Sequence, residues 1–103
     1  MKVKEYLKQN LNSKDIDFTK LYEKGDKVYY IRVLENLGIK EFKELKLRTI
    51  YADLMVGVDE TSRQTSCIFL TTASLVFKNR KRALEVYDII SVPKVNFTEI
   101  KSE

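Results

Sequence analysis

Four cationic side chains surround the point where a short apolar segment turns into an amphipathic helix. Lys78, Arg80, Lys81 and Arg82 flank Asn79, whose side-chain oxygen can cap the first helical turn. Cations at a helix N-terminus oppose the macrodipole and cost about 0.3–1 kcal/mol each. A phosphate bound there would be stabilised by the cations, the free backbone amides and the dipole together. The cluster therefore predicts an anionic partner, and the alternative is an ordinary solvated basic face.

Two further cations lie in the alternating stretch 42–51. If Leu45, Leu47 and Thr49 face the core, Lys46 and Arg48 project from the outer face of the strand, where Glu44 reduces the positive charge. We expect Lys46 and Arg48 to assist the cations at the helix start in contacting phosphates.

The first predicted strand, over 28–34, carries an aromatic residue and a cation two positions apart. Tyr30 and Arg32 fall on the same side of this strand, and we expect both to be exposed. An aromatic ring beside a guanidinium is a combination that holds the bases of single-stranded RNA. The alternative is a tyrosine half-buried in the core of a small barrel.

Catalytic and metal-binding side chains are few. The chain has no histidine and one cysteine, so it can form neither a Ser-His nor a Cys-His pair, nor a histidine-cysteine zinc site. Cys67 lies in an apolar strand and is expected to be a small core residue, not a reactive thiol. Calcium-loop, phosphate-loop and dinucleotide-binding motifs are absent. We predict no enzymatic activity, no metal and no cofactor.

The composition indicates one globular domain over residues 1–103. Apolar residues make up 44% and charged residues 33%, while three Gly and one Pro leave no flexible linker. The longest apolar run, 67–70, is the length of a strand, and the N-terminus lacks the apolar core of a signal peptide, so we expect no membrane partner. One cysteine excludes an internal disulfide and fits a cytoplasmic location. The net charge of +4 permits an anionic partner without requiring one.

Periodicity divides the chain into a helical segment over 1–24, a β-rich segment over 26–77, a helix over 79–90 and a tail over 93–103. In the first segment, Phe18 begins one helical turn that Gly25 should end. In the β-rich segment, Leu54, Val56 and Val58 are expected to face inward. About five short strands with tight links predict an α+β fold, a small antiparallel barrel in which curling removes exposed edges.

Three motifs carry a resemblance to known proteins. They are Gly25-Asp-Lys-Val-Tyr-Tyr-Ile, then Leu-Lys-Leu-Arg-Thr-Ile, then Leu75-Val-Phe-Lys-Asn-Arg-Lys-Arg-Ala-Leu. In this order the chain over 25–90 resembles small phage and plasmid proteins of Gram-positive bacteria, including PrgU-like regulators of conjugative plasmids. The resemblance implies an SH3-like or PUA-like barrel, a class that includes RNA-binding modules, and brings no catalytic residue with it.

These observations favour a non-enzymatic, nucleic-acid-binding regulatory protein from a mobile element, with RNA as the expected ligand. The basic residues would contact phosphates, while Tyr30 and Arg32 would meet bases. The rival is a protein-interaction or inhibitor module that docks on a host or plasmid protein through strand edges, Val76 and Ile89. The protein could act as a monomer or a homodimer.

Overall fold

The computed structural model describes residues 1–10 and 16–92 and confirms the predicted α+β class. Residues 11–15 of the predicted helical segment and the tail over 93–103 lie outside the described residues. No helix in 1–10 or 16–92 is both long and apolar enough to span a bilayer. The elements are α1 (Val3–Asn10), α2 (Phe18–Leu21), β1 (Lys27–Leu34), β2 (Ile39–Ile50), β3 (Leu54–Val58), β4 (Thr65–Phe69), β5 (Val76–Phe77) and α3 (Arg80–Ile89).

The five strands form one antiparallel sheet in the order β4-β3-β2-β1-β5. Two short 3₁₀ segments, Glu35–Leu37 and Leu70–Leu75, connect β1 to β2 and β4 to β5. The ladder ends at β4 on one side and at β5 on the other, so within the described residues the sheet has two edges. Closure into a barrel is not shown.

One face of the sheet, here called the concave face, carries much of the core. Leu45 and Leu47 are buried on it as predicted, and Ile68 of β4 joins them. The register shifts between Leu47 and Thr49, and this bulge in β2 brings Ile50, not Thr49, opposite Met55 and against the core. Met55 and Gly57 are the buried residues of β3. The prediction that Leu54, Val56 and Val58 point inward is therefore wrong: all three are only half-buried.

Gly57 allows β2 and β3 to approach closely at the centre of the concave face. A Cβ atom at this position would lie 2.8 Å from the Cβ of Leu45 and 3.1 Å from its Cδ1. No pair of real side chains occupies such a distance, so only glycine fits beside Leu45 without a shift of the strands. The missing side chain lets Leu45 fill the space above β3.

β1 is covered on both faces, which distinguishes it from a half-exposed edge strand. Val28 and Tyr30 are buried towards the concave face, while Ile31 is fully buried on the opposite face beneath α3, which packs against β1 and β5. Tyr30 is only 7% exposed, so the prediction of an exposed Tyr30 is wrong. Side chains alternate along β1 as predicted. Alternation alone does not show, however, that other parts of the chain pack on both faces of the strand.

Helix α3 forms where it was predicted and is fixed at both ends. At its start, the Asn79 side chain accepts a hydrogen bond from the Arg82 amide at 3.1 Å, which confirms the N-cap. At its end, Lys40 Nζ donates to the carbonyls of Tyr87 and Ile90 at 2.8 and 2.9 Å. The predicted apolar stripe is confirmed, with buried Ala83, Val86 and Ile90 and half-buried Tyr87.

The N-terminal helices pack at the periphery of the same core. The Tyr6 hydroxyl donates to the Ser74 carbonyl at 3.0 Å, and the Met1 amino group donates to the Ile89 carbonyl at 2.9 Å. α2 confirms the predicted helical turn that begins at Phe18. It ends at Tyr22, whereas Gly25, with φ of 94°, lies in the following turn and does not cap the helix.

Candidate nucleic-acid interface

The structure places the predicted site residues on two opposite faces of the sheet. Tyr30 and Arg32 pair with Lys43 and Glu41 across β1 and β2 and belong to the concave face. Lys46 lies between the buried Leu45 and Leu47, so its exposed side chain projects from the other face, here called the convex face. The eight residues therefore do not form a single site.

Glu44 joins the sheet to the start of α3 on the convex face. Its carboxylate lies 3.6 Å from Lys27 Nζ and 3.3 Å from Arg80 Nε. The Arg80 guanidinium also stands 5.9 Å from the centre of the Phe42 ring, which fixes its position over β2. All three charged side chains remain well exposed, at 43–62%. One carboxylate thus holds two cations at the surface without removing them from solvent.

Further cations extend this cluster along the sheet. Lys27 lies directly opposite Lys46 in the β1–β2 ladder. The turn before β1 is attached to β2 because the Gly25 amide donates to the Leu47 carbonyl at 2.7 Å. As a result, Lys24, Lys46 and Arg48 line one surface hollow of about 320 Å³, which the carboxylate of Glu60 also lines.

Lys78, which follows β5, is the sixth cation that we assign to this cluster. It follows Phe77, which pairs with Tyr29 of β1, and its Nζ lies 5.0 Å from the centre of the Tyr22 ring. Burial, and secondarily the charge of Asp26, raises the pKa of the Tyr22 hydroxyl, so the phenol beneath the ammonium stays neutral. We call these six cations and the central Glu44 the basic band: Lys24, Lys27, Lys46, Arg48, Lys78 and Arg80.

The other two predicted cations of α3 point elsewhere. Successive helical residues are rotated by about 100°, so Arg80 and Arg82 flank the buried stripe of α3 on opposite sides and Lys81 points outward. Arg82 lies 3.4 Å from Glu85 on its own helix. It is also near α1, because its charge opposes the rise that burial causes in the pKa of Tyr6. Of the helix-start cluster, Arg80 and Lys78 therefore join the basic band and Arg82 does not.

The concave face carries a separate polar cleft of about 620 Å³. β1, β2 and β4 all contribute to its wall, which requires the sheet to curve so that β4 approaches β1. Its principal lining residues define what we call the concave cleft: Tyr30, Arg32, Lys43, Arg63, Gln64 and Ser66.

Glu41 fixes two of the cations of the concave cleft. It lies 2.9 Å from Arg32 Nη1 and 3.2 Å from Lys43 Nζ. Burial alone would raise the pKa of the Glu41 carboxyl, but hydrogen bonds and charge from Lys43 and Arg32 outweigh it and hold the pKa below its usual value. Arg32 is therefore engaged in an ion pair, and the buried Tyr30 offers no open ring face for a base.

Sequence reasoning missed several of these residues. Lys24, Lys27, Lys43 and Arg63 carried no local signal, because only the strand register and the curvature of the sheet bring them to the two sites. Cys67 was expected in the core, yet its side chain is exposed among the described residues. Val76, offered as a docking residue, is buried, whereas Ile89 is 46% exposed.

Comparison with known proteins identifies no relative of this chain. No family model, curated protein or solved structure matches the chain. Within 1–10 and 16–92, no three cysteine, aspartate or glutamate side chains come together as metal ligands. What the two sites can bind is inferred from their geometry and charge.

Proposed function

We propose that this protein is a non-enzymatic regulatory module that binds single-stranded RNA along the basic band. The observation that carries the proposal is the ion-pair bridge from Arg80 through Glu44 to Lys27, with Lys46 opposite Lys27. This bridge connects the start of α3 with the middle of β2, so the cations share one surface on which they outnumber Glu44 and the neighbouring Glu60. A surface of this kind suits a chain of phosphates better than a single anion.

The ion pairs of the basic band can give way to phosphates at little cost. Exposed salt bridges contribute only about 0–1 kcal/mol to stability, and those of Glu44 are exposed and longer than 3 Å. An incoming phosphate group can therefore replace the carboxylate beside Arg80 or Lys27. The amides at the start of α3 favour a negative charge in the same region.

Base recognition by Tyr30 forms no part of the proposal, since that ring is buried. The affinity would come mainly from the phosphate backbone and would depend weakly on sequence. The proposal also includes a cytoplasmic location, an origin in a mobile element and a barrel-like sheet of the SH3-like or PUA-like kind. The curvature that brings β4 towards β1 supports the last of these.

Fluorescence anisotropy of a labelled oligouridine at increasing KCl concentrations tests the RNA proposal. For single strands, the slope of log affinity against log salt is about −0.7 per neutralised phosphate. Arg80→Ala should weaken binding and reduce this slope by about 0.7. Arg82→Ala is the matched control, because it removes the same charge two residues away on the opposite flank of α3. Equal effects of the two substitutions, or an affinity indifferent to salt, would contradict the proposal.

A second candidate function is docking on another protein. Tyr51 and Phe69 are 55% and 57% exposed, and both lie beside the β3–β4 hairpin, of which β4 is an edge strand. Exposed aromatic side chains next to an unpaired strand edge are suited to strand addition. This reading predicts a nuclease-resistant partner that Phe69→Ser releases and Arg80→Ala retains. Loss of the partner on nuclease treatment would support RNA binding and contradict docking on a protein.

A further inference from the structure

We propose that the concave cleft binds a small hydrophilic phosphate monoester, such as a sugar phosphate. This site lies on the opposite face of the sheet from the basic band, so it goes beyond RNA binding and is independent of it. The argument rests on a tyrosine hydroxyl that opens into the cleft, on the charges of the lining and on the size of the cleft.

The Tyr30 hydroxyl is the first indication of a ligand. Tyr30 is 7% exposed and lines the cleft, yet its hydroxyl makes no hydrogen bond within 1–10 and 16–92. The hydroxyl oxygen is nevertheless open to solvent at the wall of the cleft, since the buried side-chain polar atom without a partner among the described residues is Ser74 Oγ. A ligand oxygen in the cleft would replace water at this hydroxyl.

The charges of the lining indicate an anion. Arg32, Lys43 and Arg63 line the cleft, and no lining residue carries a carboxylate. Glu41 pairs with Arg32 and Lys43 from outside the lining, which holds their side chains in place and leaves donors of both available. Arg63 has no ion-pair partner among the described residues. Three cations around one concavity match the two negative charges that a phosphate monoester carries near neutral pH.

The loop before β4 holds Arg63 at the rim. The Arg63 amide donates to the Asp59 carbonyl at 2.6 Å, and Asp59 Oδ1 accepts from the amides of Thr61 and Ser62 at 2.9 and 3.2 Å. Arg63 is the one non-glycine residue of the described chain with positive φ, at 61°. Asparagine adopts this conformation more readily than arginine, which provides a substitution that removes the charge and preserves the loop.

The remaining lining limits the ligand to a polar molecule. Gln64 and Ser66 add amide and hydroxyl groups, and the volume of about 620 Å³ falls within the range of small-molecule sites. Arg63 and Arg32 can each form two parallel hydrogen bonds with a phosphate. The hydroxyls of a sugar would face Gln64, Ser66 and Tyr30.

Titration of the ¹⁵N-labelled protein with ribose 5-phosphate, followed by ¹H–¹⁵N correlation spectra, tests the proposal. We expect saturable shifts of the amides of residues 63–67 and no comparable shifts with ribose. Inorganic phosphate should bind more weakly than ribose 5-phosphate, because it lacks the groups that would meet Gln64 and Ser66. Shifts confined to the basic band, no saturable shifts, or equal affinity for inorganic phosphate would overturn the proposal.

Variants then separate binding from folding. Arg63→Asn should weaken binding of ribose 5-phosphate about tenfold, and Arg63→Lys, which keeps the charge but loses the paired donors, should weaken it less. Tyr30→Phe should weaken binding a few-fold without lowering the unfolding midpoint, since the hydroxyl has no partner in the free protein. Arg82→Asn serves as the charge-matched control and should change nothing. Unaltered affinity in both Arg63→Asn and Tyr30→Phe would overturn the assignment, whatever happens to RNA binding in Arg80→Ala.

Discussion

The basic band and the concave cleft repeat one arrangement on opposite faces of the same sheet. In each, a single glutamate of β2 pairs with two cations: Glu44 with Lys27 and Arg80, and Glu41 with Arg32 and Lys43. The ion pairs of Glu41 are the shorter ones, and its side chain is the less exposed.

The difference between the two lies in the surface around the glutamate. Around Glu44 the cations lie on the convex face, where Lys27 and Lys46 stand opposite each other in the ladder and stay exposed. Around Glu41 the curvature of the sheet brings β4 over the cations and forms a cleft. The same residue types therefore favour a polymer on one face and a small ligand on the other. The difference comes from the curvature of the sheet, which forms a cleft on the concave face only.

Gly57→Ala should have the largest effect and should act on the cleft. The added Cβ would lie 2.8 Å from the Cβ of Leu45, so β2 and β3 must separate. Overpacking of this kind costs about 1–3 kcal/mol, which urea denaturation can measure. Ser66→Ala, at the position paired with Gly57 on β4, is the control and should cost far less. Equal stability of Gly57→Ala and the wild type would show that the approach of the strands does not require glycine.

Asn79→Ala should have the next largest effect and should act on the basic band. Loss of the cap on the Arg82 amide costs about 1 kcal/mol and loosens the first turn of α3, where Arg80 lies. Hydrogen exchange should become faster at the start of α3 and stay unchanged in β4. Asn79→Asp, which keeps the capping oxygen, should retain the protection; faster exchange throughout the chain would contradict a local effect.

Glu44→Gln should strengthen RNA binding by a few-fold, an effect below about 1 kcal/mol. The substitution frees Arg80 and Lys27 from their shared carboxylate and raises the charge of the basic band. Glu85→Gln makes the same change beside Arg82, outside the band, and should leave the affinity nearly unchanged. Anisotropy titration with oligouridine compares the two, and a stronger effect of Glu85→Gln would place the RNA on the other flank of α3.

Glu41→Gln should have the smallest effect, and this effect should depend on pH. The folded-state pKa of Glu41 is below the ordinary value of 4.5, so its contribution to stability is complete above pH 4.5 and is lost as pH falls through the lower folded-state value. At pH 7 the wild type should be more stable than Glu41→Gln by less than about 1 kcal/mol. Urea denaturation at several pH values should show the difference shrinking under acidic conditions. A difference that grows towards low pH would contradict the sign of this shift.

The sequence predicts the elements of this fold better than the positions of its faces. Five strands, α1, and α3 with its Asn79 cap follow from periodicity and local chemistry, which are short-range properties. The bulge after Leu47 has no such signal, and it brings Ile50, not Thr49, opposite the buried Met55. A glycine within a strand was the one available hint, since such residues often mark close approach of backbones.

The candidate sites were predictable only in part for the same reason. The charge cluster from Lys78 to Arg82 was found, but helix rotation divides it, and Arg82 ends beside Glu85. The prediction for Tyr30 failed because a strand covered on both sides shows the same alternation as one that is half exposed. Lys27 and Arg63 come to their sites through register and curvature, which depend on residues far away in the chain.

The contacts of Lys40 and Arg80 together limit how α3 can move relative to β2. Both anchor the helix to β2: Glu44 meets Arg80 at one end, and Lys40 meets the carbonyls of Tyr87 and Ile90 at the other. Four residues of strand span about 13 Å and ten of helix about 15 Å, so the two attachment points are nearly equally spaced on both elements. Sliding of the helix along the strand would break both attachments at once, and rolling would expose the buried Ala83 and Val86 and pull the Tyr87 hydroxyl away from the Lys40 carbonyl. α3 is thus held against β2 in both directions, which keeps Arg80 over the Phe42 ring.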